Sequence, residues 1–326
     1  MVALSETIAL SSMHPVRRSP KPTFDRLFRL ASYGSALLVL IVLAGILASM
    51  IVGGWPAFER FGLGFLTSSA WDVGRGQFGA FVAIVGTLTS ALIALVIGVP
   101  VSLGIAVFLT QLCPAWLKRP VSTTIELLAA VPSIIYGMWG LFVFAPLFAA
   151  YVQVPVSALV EGVPFLGTVL YARVPSGVGI LTAGIILSIM IIPFIASIAR
   201  DILDQVPTVL RESAYGIGCT TYEVVRHVLV PQAGVSLIGA VMLGLGRALG
   251  ETMAVTFVIG NAHKVSASLI APGTTISATI ANEFTEAVGD LYTSALIALG
   301  LLLFCITFIV LAIARYMLMR IERRVG

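Results

Sequence analysis

Charge is what this sequence has least of: 10% of its 326 residues are Asp, Glu, Lys or Arg, while 59% are hydrophobic. Soluble domains carry about a quarter charged residues, so the composition excludes that class and points to an integral membrane protein. Lysine is scarcer still, present only as Lys21, Lys118 and Lys264. A Walker-type nucleotide loop needs Gly-Lys followed by Ser or Thr, whereas these lysines follow Pro20, Leu117 and His263. Any ATP-driven work would therefore depend on a partner's ATPase, and no enzyme activity is expected of the chain. Cysteine is also sparse, and Cys113, Cys219 and Cys305 suggest no disulfide. His14, His227 and His263 lie far apart without metal-ligand spacing, so neither metal nor cofactor is expected.

Long apolar runs are abundant. A bilayer core of roughly 30 Å takes about 20 apolar residues as a helix, and six stretches qualify, near 31–52, 79–110, 124–149, 177–199, 235–259 and 291–314. The second is long enough to kink or break at Pro100, which would make a seventh span. Charge favours six: 14 of the 19 Lys and Arg then fall on the side of the N-terminus, four on the other, and Arg247 within a span. By the positive-inside rule both termini are expected to be cytoplasmic. The net charge of +4 follows this topology and gives no reason to expect nucleic acid. The first 30 residues are basic without an early apolar core, so span 1 reads as an uncleaved anchor. The expected fold class is an all-α integral membrane bundle. A cytoplasmic segment at 1–30 precedes a transmembrane domain at 31–316, and a cytoplasmic tail follows at 317–326.

The cytoplasmic loop at 200–234 has internal structure. Pro207 suits the first turn of a short helix, Gly218 the left-handed position beyond its end, and Thr220 with Glu223 a capping box that starts a second helix. Pro231 is expected to end that second helix. Within this loop Glu212-Ser213-Ala214, then Gly218, then Val228-Leu229-Val230-Pro231 resembles the EAA motif of ABC importer permeases, in which Glu-Ala-Ala, Gly and Pro hold this spacing. Ser213, Val228 and Val230 depart conservatively from that pattern.

Three further segments, "GQFGAFVAIVGTLTSALIALVIGVPVSLGIAVFLTQLCP", "IELLAAVPSIIYGMWGLFVFAP" and "GRALGETMAVTFVIGN", resemble phosphate-specific ABC importer permeases of the PstC type. The long basic N-terminus and "YGMWGLFVFAP" look more like that type than its PstA-type paralogue. The resemblance implies a type I importer fold (MetI-like), a homologous PstA-type permease, a PstB-type ATPase dimer, an extracytoplasmic PstS-type binding protein, and inorganic phosphate as cargo. It also implies that Glu212, Ser213, Ala214, Gly218 and Pro231 serve ATPase coupling.

"RALGE" places Arg247 and Glu251 in an otherwise uncharged run from Val235 to Ile259. Ionisable residues in membrane spans usually face a bundle interior or a water-filled path. Four residues apart on a helix they would share a face, either neutralising each other as a structural pair or lining the translocation path. Glu126 in "TTIE" reads as a capping box at the start of span 3, and Pro132 and Gly137 as residues that kink and pack that helix. His263-Lys264 reads as a solvated outer loop, and the tryptophans as interfacial anchors. A permease for molybdate or sulfate would share the coupling loop. An ion-coupled transporter would need an internal repeat of broken helices, which does not stand out.

Overall fold

Lipid cannot satisfy backbone N–H and C=O groups, so apolar segments of this length cross a bilayer as helices. The computed structural model describes residues 22–325 apart from 165, 172 and 173. Residues 1–21 of the expected N-terminal segment, and Arg173, lie outside the described residues. Six helical stretches are long and apolar enough to span: Phe24–Phe61, Phe81–Leu112, Ser133–Val160, Ile180–Asp204, Thr221–Gly250 and Asp290–Arg320. The fold is all-α, as expected, with a single two-residue hairpin among the described residues.

Helix α1 (Pro22–Phe61) begins the described chain. It crosses the boundary between two compact units, Met1–Ser49 and Met50–Gly326. In the second unit α2 (Gly64–Thr67) leads to the antiparallel strands β1 (Trp71–Asp72) and β2 (Gln77–Phe78). Helix α3 (Phe81–Val107) continues unbroken through Pro100 into a π-helical turn at Phe108–Leu112, so no seventh span arises. Thr87, Ala91, Ala94, Gly98 and Ser102 recur at helical spacing on its buried face. Between membrane helices lipid offers little hydrophobic driving force, so small residues that permit close backbone approach do the packing. This stripe lies against α9 (Ile180–Asp204), where the Ser102 hydroxyl reaches the Ile192 carbonyl at 3.2 Å.

Span 3 differs from the expectation. The residue before a proline is pushed out of the α region, and the chain breaks at Pro132 into α4 (Ala115–Ala129) and α5 (Ser133–Trp139). Span 3 then continues through π-helical turns and α6 (Ala145–Phe148) into α7 (Val154–Val160), shifted from 124–149 to Ser133–Val160. "TTIE" therefore lies inside α4 and starts nothing: Thr124 donates to the Pro120 carbonyl, and Glu126 pairs with Arg200 at 2.9 Å.

After α8 (Leu166–Leu170) comes α9 (Ile180–Asp204), the most enclosed span, which meets α3, α4 and α12. Next are α10 (Thr208–Gly216), α11 (Thr221–Val224), α12 (Val230–Gly250), α13 (Met253–Val258) and α14 (Ile276–Glu283). The final helix, α15 (Asp290–Val325), runs through most of the expected tail at 317–326. The core around α9 gathers Ile186, Leu187, Met190 and Ile191 with Leu249 of α12 and Val255 and Val258 of α13.

Candidate functional site: a coupling face and an unpaired arginine

The loop expected to hold two helices does so. Pro207 precedes α10 with an extended ψ of 131°, and Gly218 adopts φ +92°, a conformation that only glycine reaches cheaply. Around it the Cys219 N–H bonds the Ala214 carbonyl at 3.1 Å and the Gly218 N–H bonds that of Tyr215 at 3.0 Å, a Schellman closure. Thr220 and Glu223 form the expected capping box at the start of α11. Pro231 does not end the helix. The π-helical turn Val225–Leu229 immediately before it carries the chain past the missing N–H, and α11 continues into α12.

The motif residues divide by exposure. Glu212, Ser213 and Gly218 are open to solvent, and so is Ile217, at 84%. Ala214 is 6% exposed and packs with Ala199, Leu203, Val224 and Leu229, so it seats the helix instead of presenting surface. Arg211, which sequence reading passed over, fixes α10 to the end of α9: one terminal nitrogen donates to the carbonyls of Leu203 at 3.1 Å, Asp204 at 3.3 Å and Val206 at 2.8 Å. A cation on the last carbonyls of a helix also complements its dipole. The available signal was an arginine seven or eight residues beyond a helix end.

Arg247 and Glu251 do not share a helix face. Helix α12 stops at Gly250, and Glu251 is extended, with ψ of 129°. Its Oε1 accepts the Ala254 N–H at 3.2 Å, which turns the carboxylate toward α13. Among the described residues no carboxylate lies within 4.0 Å of the Arg247 guanidinium. The guanidinium sits over the Phe194 ring of α9, 5.3 Å from its centre, and its buried Nε has no hydrogen-bond partner. The permanent structural pair is thus excluded in this conformation, and a half-buried cation stands at a helix break. Non-helical backbone at membrane depth is tolerated where protein buries it or where it lines a water-filled cavity.

At the end of the spans opposite the α10 loop, Glu283 at the end of α14 gathers β1, the loop after α13 and the start of α15. It accepts hydrogen bonds from Trp71 Nε1 and the Tyr292 hydroxyl, both at 2.7 Å, and contacts His263 Nε2 at 2.7 Å. The Trp71 and His263 rings stack at 5.2 Å. Burial raises the Glu283 carboxyl, but these bonds outweigh it and hold it below the usual carboxylate value. His263 and Trp71 were expected in a solvated loop and an interfacial belt; only the three-dimensional meeting of distant loops reveals their roles.

Residues 98–323 match the family model described as binding-protein-dependent transport system inner membrane component. The chain is 58% identical over 302 residues to the phosphate transport system permease protein PstC of Mesorhizobium japonicum, covering 93% of this chain and 92% of that one. The chain belongs to this family, in its PstC group. To the PstC of Haemophilus influenzae the permease is 54% identical, covering 93% of this chain and 95% of the relative. To PstC 2 of Mycobacterium tuberculosis it is 38% identical, covering 93% of both. A solved bacterial alginate ABC transporter, in complex with an alginate-bound periplasmic protein, shares the fold: TM-score 0.61 at 17% identity, covering 91% of this chain and 96% of that one. The permease is therefore a multi-pass inner-membrane transport component.

Proposed function

We propose that this permease forms half of the translocation path of an ATP-driven phosphate importer, beside a homologous PstA-type permease. A PstB-type ATPase dimer would drive it and an extracytoplasmic PstS-type protein would deliver the anion, with both termini cytoplasmic. The observation that carries the reading is the unpaired Arg247 guanidinium at the break between α12 and α13. Phosphate at neutral pH is a mono- or dianion, and a guanidinium offers a planar fork of donors that matches two of its oxygens. Glu251, turned aside by Ala254, leaves that fork open, and its second oxygen can accept the proton of a protonated phosphate oxygen as a hydrogen bond. Glu251 also places a negative charge near the path, which keeps the site weak enough to release its cargo.

Coupling to the ATPase would run through α10. Glu212, Ser213 and Ile217 offer an exposed surface, Gly218 shapes its end, and Arg211 ties it to the last carbonyls of α9. Movement of α10 as the ATPase dimer closes would therefore draw on α9, whose Phe194 lies beneath Arg247. Pro231 would contribute through the π-helical turn that joins α11 to α12. The resemblance supports these partners, and the contacts of Arg211 with the end of α9 and of Phe194 with Arg247 support a mechanical link between docking face and path.

The test is radiolabelled phosphate uptake by proteoliposomes containing the whole complex, with sulfate and molybdate as competitors. Uptake that resists both and disappears in Arg247→Gln, with the ATPase still co-purifying, supports the reading. Retained uptake in Arg247→Gln, or displacement by sulfate or molybdate, sinks it.

A further inference from the structure

The cleft between α4 and the end of α9 shares with the coupling link only Asp204, whose carbonyl accepts from Arg211. It is an open cavity of about 480 Å³ lined by Lys118, Arg119, Ser122, Thr123, Arg200, Asp201 and Asp204, together with Ala115. Its two carboxylates are already answered. Lys118 Nζ meets both Asp204 oxygens at 3.2 Å, and Arg200 pairs with Asp201 at 2.6 Å while also holding Glu126 at 2.9 Å. Arg119 has no carboxylate within 4.0 Å among the described residues. The Ser122 and Thr123 hydroxyls make no hydrogen bond among those residues either. Positions 119, 122 and 123 stand three and four apart, so one cation and two free hydroxyls share a single face of α4.

Depth limits what this face can meet. Span 4 ends at Asp204; at 1.5 Å per residue its length is about 37 Å, against a hydrocarbon core of roughly 30 Å. Its last turn, which carries Asp201 and Asp204, therefore reaches the headgroup layer. Helix α4 has no buried residue, and Trp116, three residues before Arg119, is 77% exposed. An exposed tryptophan beside a cation at a span end is the composition of a membrane interface.

We propose that this cleft binds the headgroup of an anionic phospholipid, with the phosphodiester on Arg119 and the hydroxyls of Ser122 and Thr123. A phosphodiester carries one negative charge, which matches the cleft's one guanidinium that has no carboxylate partner, that of Arg119. A zwitterionic headgroup would bring an ammonium whose natural partners, Asp201 and Asp204, are both engaged. The proposal rests on the membrane-spanning fold and is independent of the cargo.

The test is native mass spectrometry of the complete purified complex titrated with phosphatidylglycerol, with phosphatidylcholine as the neutral comparison. Phosphatidylglycerol should be retained in preference. Arg119→Gln should weaken its retention about fivefold, as expected for one cation near an anionic surface. Arg119→Lys should keep most of the retention, and Arg60→Gln, remote from the cleft, should change nothing. If Arg119→Gln does not fold, Ser122→Ala with Thr123→Val removes the hydroxyls instead and should also weaken retention. Equal retention by wild type and these variants would overturn the site. Displacement of the lipid by inorganic phosphate would assign the cleft to the free anion, and loss of the ATPase from an otherwise intact Arg119→Gln complex would assign it to a protein contact. Either result also refutes the lipid proposal.

Discussion

The Arg247 guanidinium lies over the Phe194 ring, 5.3 Å from its centre, while Glu251, four residues on, turns its carboxylate to the Ala254 N–H. A partner that holds a cation through its ring face leaves the guanidinium fork available to an anion, whereas a carboxylate would occupy it. Arg247→Lys should accordingly retain the charge yet lose most uptake, because an ammonium lacks the bidentate fork. Phe194→Leu should preserve assembly and reduce uptake severalfold, in line with a cation–π contribution of about 0.5–1 kcal/mol. Initial uptake rates in proteoliposomes, normalised to the amount of reconstituted complex, check both. Wild-type rates in Arg247→Lys would mean that charge alone suffices.

A second expectation concerns the seat of α10. Glu212 is exposed, so Glu212→Lys should weaken ATPase co-purification without unfolding the permease. Arg211→Ala should act differently, since it removes three hydrogen bonds from a charged donor to the end of α9. It should lower thermal stability by about 1.5–3 kcal/mol and leave ATP hydrolysis running with little transport. Simultaneous assays of ATPase rate and uptake separate the two variants. Proportional loss of both activities in Arg211→Ala would remove Arg211 from the mechanical link.

These positions also show what the sequence could and could not disclose. The two loop helices were legible because Gly218, Thr220 and Glu223 encode local geometry, and a Schellman turn or a capping box is settled within six residues. The six spans were legible because hydropathy reports transfer from water to lipid. Their ends were less so: Pro132 divided a run that apolarity alone joined, and the π-helical turn before Pro231 preserved a helix that proline alone would have ended. Arg247 and Glu251 were expected to share a face because spacing on an ideal helix was the available guide, and the helix stops between them. Glu283 and Trp71, 212 residues apart, meet only in the fold, so their roles had no local signature.

Glu283 yields a pH dependence with a definite sign. Burial works against its charged form, but the bonds from His263, Tyr292 and Trp71 prevail, and its folded pKa lies below the ordinary value of 4.5. The unfolded state therefore binds the proton more readily than the folded one. The stability Glu283 contributes is complete above about pH 4.5 and is lost as pH falls through the folded value. Unfolding midpoints of the complex should thus owe nothing to Glu283 titration between pH 6 and 8 and should drop below pH 4.5. Glu283→Gln should be less stable at pH 7 and show a smaller acid decrement. An acid decrement equal to wild type in that variant would exclude Glu283 as its source.

The last expectation tests whether the helix break at Glu251 is held by close packing. A Cβ added at Gly137 of α5 would come within 2.9 Å of Ala254 Cα and 2.9 Å of Phe257 Cδ2, both on α13. The phenylalanine ring can move, but the backbone carbon shifts only if α13 shifts, and the first turn of α13 carries the Ala254 N–H that holds Glu251 aside. Gly137→Ala should therefore destabilise the permease by about 1–3 kcal/mol, the usual cost of overpacking, and reduce uptake with it. Adding Phe257→Ala relieves only the ring contact and should restore little. Adding Ala254→Gly should restore less still, because the clash is with Cα and survives loss of the methyl. Thermal unfolding of the three variants in detergent orders them, and full recovery in the Ala254→Gly double variant would show that the α5–α13 backbone approach does not hold the break in place.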